Sequence, residues 1–183
     1  MKKIIILSLS LLTSAVLFTS CKKDTVVNQT SSNIYVQGQI STSDWTRVST
    51  TDGSIVYKYS IDADSYANLL PLGNFSNNKD GLLVYASLDD QTYYPLMGNG
   101  TNVDGNYLYY FETYYDTNAK TTDIIITAEA INSNTTVSPS NMYVNLVFLQ
   151  ATASYNSTSN VNTNDYNAVI KAYNVKSNGT FKK

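Results

Sequence analysis

The sequence predicts an all-β protein: an antiparallel β-sandwich of about seven or eight strands with a short C-terminal amphipathic helix, preceded by an export signal and a polar tether. Three observations carry that expectation. Apolar and polar residues alternate with period two in many short runs from residue 34 onward. Tyrosine is abundant at 16 residues while glycine and proline number only 8 and 3, and aromatic side chains suit a pleated, half-buried surface. Clusters of Asn, Asp, Gly and Ser punctuate the runs.

Taken in order, the chain begins with Lys2 and Lys3 as a positive n-region. Residues 4–18, IIILSLSLLTSAVLF, form an apolar stretch too short for a comfortable membrane span. The small residues Thr19 and Ser20 then precede Cys21, the single cysteine of the chain. This arrangement resembles the bacterial lipoprotein signal, in which cleavage leaves the cysteine as a diacylated, N-acylated first residue; Phe18 stands where that motif prefers Leu. The resemblance implies palmitate-type acylation at Cys21 and a signal peptide over residues 1–20. The other reading is an ordinary signal cut near Ser20 with Cys21 incidental. Exported proteins tend to pair their cysteines or avoid them, because a lone thiol invites oxidation, and this argues for the anchor. Two or more acyl chains hold a protein stably at a bilayer, where one is marginal.

Residues 21–32 read as a lipidated tether; the eleven after Cys21, residues 22–32, lack periodicity and as a flexible chain span about 18 Å r.m.s.. Lys22-Lys23-Asp24 resembles the start of lipoproteins from Bacteroidota-type bacteria, where short charged runs can direct export to the cell surface. Asp24-Thr25-Val26 resembles the short O-glycosylation signal of the same bacteria. The implied location is the outer membrane, lipid-anchored, on its surface or periplasmic face. Removing Lys2 and Lys3 with the signal leaves ten basic against fourteen acidic side chains, a balance of −4. Such a charge is a poor partner for nucleic acid or an anionic surface.

The domain is expected over residues 33–176, with 177–183 as a tail. Residues 55–62, IVYKYSID, set apolar or aromatic side chains at 55, 57, 59 and 61 against mostly polar neighbours, the pattern of a strand with one buried and one wet face. Further strands are read at 34–40, 82–88, 93–97, 105–115, 122–131 and 142–152. Residues 89–92 and 116–120 read as hairpin loops, and 74–81 and 99–105 as longer connections. Ser65–Leu70 reads as one helical turn capped by Asp64 or Ser65. Near the C-terminus, Tyr166, Val169, Ile170 and Tyr173 fall at i, i+3, i+4 and i+7 behind the capping residues Thr163 and Asn164, which predicts a short amphipathic helix over 164–173.

Four pieces, Ser43-Asp-Trp45, the short helix leading into Gly81-Leu-Leu-Val-Tyr85, Tyr143-Val-Asn-Leu-Val-Phe-Leu149 and Asp165-Tyr-Asn-Ala-Val169, occur in this order in a group of uncharacterised Bacteroidota lipoproteins. The chain resembles that group over about residues 33–174. Some members are labelled collagen-like because a Gly-X-Y stalk precedes the domain; no such stalk is present here. Where those relatives often carry Arg and Pro around the 143–150 strand, this chain has Asn145 and Gln150. The resemblance implies fold and location and carries no activity.

Absences prune the chemistry. There is no histidine, which excludes an imidazole relay, a Ser-His-Asp triad and imidazole metal ligands. One cysteine excludes an intramolecular disulfide and a cysteine-cluster zinc site. Arg47 is the single arginine, too few for multiple bidentate phosphate clamps.

Three constellations remain. Gly100–Gly105 suggests a calcium loop, but Gly100 and Phe111 stand at the first and twelfth positions, where an EF-hand needs Asp and a bidentate Glu; a polar turn is the preferred reading, and no cofactor or metal is expected. Asp62, Asp64, Asp89 and Asp90 likewise read as strand ends and turns. Glu112 and Glu129, the two glutamates, fall mid-strand on a predicted hairpin and could approach each other as a glycosidase pair needs, about 5 to 9 Å apart; two exposed sheet carboxylates are the preferred reading. Finally, Tyr107–Tyr115 places Tyr107, Tyr109, Phe111 and Tyr115 on one face and Tyr110 and Tyr114 on the other. One face meets the core. The other, Tyr110 and Tyr114, is the candidate binding platform, or else simple cross-strand packing or cover by the helix. Trp45 reads as a core or domain-edge anchor. The expected function is that of a non-catalytic envelope or surface lipoprotein acting through binding or adhesion contacts, with glycan, protein or matrix as ligand. A purely structural envelope role and a carboxylate-pair glycoside hydrolase are the alternatives.

Overall fold

The period-two alternation resolves into two layers. A computed structural model describes residues 33–62, 65–66, 81–117, 121–149 and 161–181, all within the unit Ser31–Lys183. Cys21, the signal segment and the tether lie outside the described residues.

Among the described residues ten strands, one 3-10 turn (Thr42–Asp44) and one α-helix follow in order: β1 (Ile34–Ile40), β2 (Thr46–Ser49), β3 (Ile55–Ile61), β4 (Gly81–Ser87), β5 (Tyr94–Pro95), β6 (Thr101–Asn102), β7 (Tyr107–Asp116), β8 (Thr121–Ala130), β9 (Met142–Leu149), α1 (Tyr166–Ala172) and β10 (Lys176–Phe181). They build two five-stranded sheets, ordered β10-β1-β9-β4-β5 and β2-β3-β8-β7-β6. Pairing is antiparallel throughout except between β1 and β10, which run parallel with a register irregularity between Tyr35 and Gln37. The fold is the all-β sandwich expected.

Inward-facing residues of both sheets meet in one core. Val36, Ile40, Val84, Ala86, Val144, Leu146 and Phe148 come from the first sheet; Tyr59, Ile61, Tyr107, Tyr109, Ile124 and Ile126 come from the second. Each large side chain removed from water contributes roughly 1.5–3 kcal/mol. Trp45 closes the core beside Tyr59 and Tyr109, at ring-centroid distances of 6.3 and 6.0 Å, which is the core anchor the sequence suggested.

β9 departs from simple alternation. All of Met142–Leu149 is buried apart from Tyr143, Asn145 included. The reason is α1, which lays Val169 on the outer face of the first sheet against Tyr85, Val147, Leu149 and Val175. The helix is shorter than the predicted 164–173, and its cap is Asp165 rather than Thr163 or Asn164: the Asp165 carboxylate accepts from the backbone N of Ala168 at 3.0 Å. Asn174, with φ of +48°, ends the helix in the left-handed conformation that Asn tolerates.

Three strands were not expected, and each is short or polar: β2, β6 and β10. β10 also corrects the predicted domain end. Residues 177–181, assigned to a tail, continue the strand that pairs with β1. Its anchor is Phe181, which lies opposite Gly38 and buries its ring there. A Cβ at position 38 would sit 1.9 Å from that ring, so any larger residue there displaces the Phe181 ring from its seat. Other strand bounds shift by a residue or two, and at 93–97 only Tyr94–Pro95 pairs; residues 150–152 of the predicted 142–152 strand lie outside the described residues. Of the proposed turn at 65–70, Ser65 and Tyr66 form a turn, with the Ser65 hydroxyl donating to Asp62 at 3.1 Å; residues 67–70 lie outside the described residues.

Candidate binding face

The two sheets present different outer faces. On the first, α1 and the loop after β4 enclose an aromatic cluster: Tyr166 stands 6.5, 5.2 and 4.8 Å from Tyr35, Tyr85 and Tyr93, centroid to centroid. The Tyr85 hydroxyl donates to the Thr163 carbonyl at 2.8 Å, and the Gln37 amide donates to the Tyr93 oxygen at 2.8 Å. Burial raises all three phenols, Tyr85 to about 12 and Tyr93 and Tyr166 further. This cluster escaped sequence reasoning, which saw Tyr166 as one of four residues on a helix face and had no means of pairing it with strands far away in the chain.

On the second sheet, pairing register brings the outer side chains into rows. Lys58 on β3, Thr127 on β8 and Tyr110 on β7 form one row; Ile125 and Glu112 form the next; Asp123 and Tyr114 form the third. Tyr110, Glu112 and Tyr114 therefore share one face, two residues apart, with neighbours about 7 Å from each other along the strand. No described element packs on them. Tyr114 is 59% exposed, whereas Tyr110 is half-buried and with Lys58 flanks the fully buried Thr127. Burial, followed by the charge of Glu129, raises the Tyr110 phenol above its ordinary value. The Lys58 ammonium donates to Glu112 at 3.1 Å between the two rows.

The other candidates separate on this geometry. Glu129 lies opposite Leu108 and Glu112 opposite Ile125. They share a face, as the sequence allowed, but stand four register steps apart, about 13 Å along the strands. That exceeds the separation of a glycosidase pair, and Glu112 is committed to Lys58. The Gly100–Gly105 loop is a turn: Asn102 Oδ1 accepts from Gly105 N at 2.7 Å, while Asp104 accepts from Asn106 N at 2.9 Å and from the Tyr109 hydroxyl at 2.6 Å. Asp89 is a turn residue too, accepting from the backbone N of Gln91 and Thr92 at 2.9 and 2.8 Å; these bonds lower its carboxyl to about 2. Among the described residues no group of three or more His, Cys, Asp or Glu is placed to hold a metal ion.

No known family model, curated protein or solved structure matches the chain significantly. What stands on the geometry is a class: a β-sandwich domain with one outer face covered by a helix and the other, among the described residues, uncovered and bearing Tyr110 and Tyr114.

Proposed function

We propose that the chain is a non-catalytic lipoprotein, held at the outer membrane through acylated Cys21, whose sandwich domain acts by contact with a glycan on the open face of the second sheet. The observation that carries this reading is the line Tyr110–Glu112–Tyr114 along β7: two aromatic side chains flanking an ion-paired carboxylate on a sheet face that no described element covers. Phenol rings stack on the apolar faces of sugars, and the hydroxyl and carboxylate groups beside them exchange hydrogen bonds with sugar hydroxyls. The side-chain balance of −4 after signal removal fits a neutral carbohydrate better than a polyanion. The distance between Glu112 and Glu129 supports binding in preference to hydrolysis.

A glycan array tests the platform. Binding by the wild-type domain that is lost in Tyr110→Ala and Tyr114→Ala is the expected result; binding that survives both substitutions removes the platform. Failure to bind any glycan favours the purely structural role. Growth with labelled palmitate tests the anchor separately: label on the wild-type chain and none on Cys21→Ser is expected.

A further inference from the structure

The face bearing Tyr110 and Tyr114 ends at an edge of β7 that the described strands pair only in part. β8 pairs with all ten residues of β7, but on the other side β6 reaches only Tyr109 and Leu108. From Tyr110 to Asp116, no described strand pairs with the outer edge of β7. Natural sheets blunt such edges with lysine, proline or a bulge; residues 110–116, YFETYYD, contain neither lysine nor proline, and their pairing with β8 runs without a bulge. The edge is also where exposed aromatic surface gathers. Tyr114 and Tyr115 are 59% and 48% exposed, and Phe111 borders a crevice of about 210 Å³ lined by Leu96, Met97 and Pro95. A strand edge that no described strand pairs, beside an apolar crevice, is a site for strand addition.

We propose that this edge pairs with the same edge of a second copy of the chain, antiparallel about a two-fold axis at Thr113, joining the two sheets into one. The segment itself selects the occupant. For inner faces to continue into inner faces, the axis must pass through a residue, because side chains alternate with a period of two. An axis at Glu112 sets Glu112 against its own copy, and an axis at Tyr114 sets Glu112 against Asp116; like charges directly opposite are destabilising. At Thr113 neither clash arises. Phe111 then lies opposite Tyr115 of the other copy, an aromatic pair on the inner side next to the crevice, and Glu112 lies opposite Tyr114. The two copies of Glu112 become diagonal neighbours, about 7–8 Å apart, and each already has Lys58 at 3.1 Å. The turn at Thr117 carries each chain off the edge before it reaches β6. In the dimer the Tyr110 and Tyr114 rows of both copies form one continuous aromatic strip. The pairing stands on the strand edge and holds whether or not that strip binds a glycan.

Disulfide trapping in membranes of cells expressing the full chain tests this. In Thr113→Cys, mild oxidation is expected to yield the peptide linking the two copies of position 113, far above the level for Ser60→Cys, an exposed outer-face position on β3, two strands from β7 in the same sheet. A yield no higher than that of Ser60→Cys overturns the proposal. Linkage of position 113 to a different protein also overturns it and assigns the edge to a foreign strand. Should Thr113→Cys fail to accumulate, sedimentation of the wild-type chain in mild detergent decides: a dimer is expected, weakened several-fold in Thr113→Lys, which puts like charges face to face at the axis, and a monomer refutes the pairing.

Discussion

Tyr166 and Tyr114 are the same residue type on opposite sides of one sandwich, and their surroundings give them different work. Tyr166 is enclosed by three other tyrosines under α1, so its ring area contributes to holding the helix on the first sheet. Tyr114 stands on the second sheet with most of its surface in water, so its ring area remains available to something else. An aromatic side chain stabilises a fold only through the surface it removes from solvent. A tyrosine count cannot separate these roles, whereas the position of one seven-residue helix does.

The comparison is broken most directly by substituting the two residues. Tyr166→Ala should cost about 3–5 kcal/mol, the range for truncating a packed aromatic, and urea unfolding measures it. If the loss is below about 1 kcal/mol, the covered face is not a second core. High pH sharpens the contrast next. The enclosed phenols have folded pKa values above the ordinary value of 10, Tyr85 at about 12. Being neutral when protonated, they contribute their full stabilisation below pH 10 and lose it as pH rises through 12 and beyond. Denaturant midpoints should therefore be flat up to about pH 10 and fall above it, and Tyr85→Phe should soften that fall. At neutral pH the same substitution removes the hydrogen bond to the Thr163 carbonyl and should cost about 0.5–1.5 kcal/mol. The smallest effect is expected on the open face: Tyr114→Ala within about 0.5 kcal/mol of wild type, and Lys58→Met no more than about 1 kcal/mol, because the ion pair it breaks is exposed.

Legibility from sequence followed the same division. β3, β7 and β8 could be read because each has one buried and one wet face, and alternation over seven to ten residues is a strong local signal. The division of β7 into Tyr107, Tyr109 and Phe111 against Tyr110 and Tyr114 followed from that alternation alone. β10 could not be read. Lys-Ser-Asn-Gly-Thr-Phe has one apolar residue, and it is a strand because β1 offers a free edge and Gly38 a seat for Phe181. β2 and β6 are edge strands of four and two residues, short enough that their pairing partners, more than their composition, define them. The relation between Glu112 and Glu129 lay beyond reach: alternation gave the company each keeps on its own strand, but whether they share a face and how far apart they stand depend on where the hairpin turns.

Composition and period two alone thus determined the class of fold, the facing of its long strands, and the lack of histidine and of a second cysteine, because each is a property of the residue list or of residues near one another in the chain. Which outer face the helix covers, how far described strands pair the edge of β7, and that a polar C-terminal segment is a strand were decided only by the tertiary structure. Those outcomes depend on contacts between segments far apart in sequence, whose free energy no local pattern encodes.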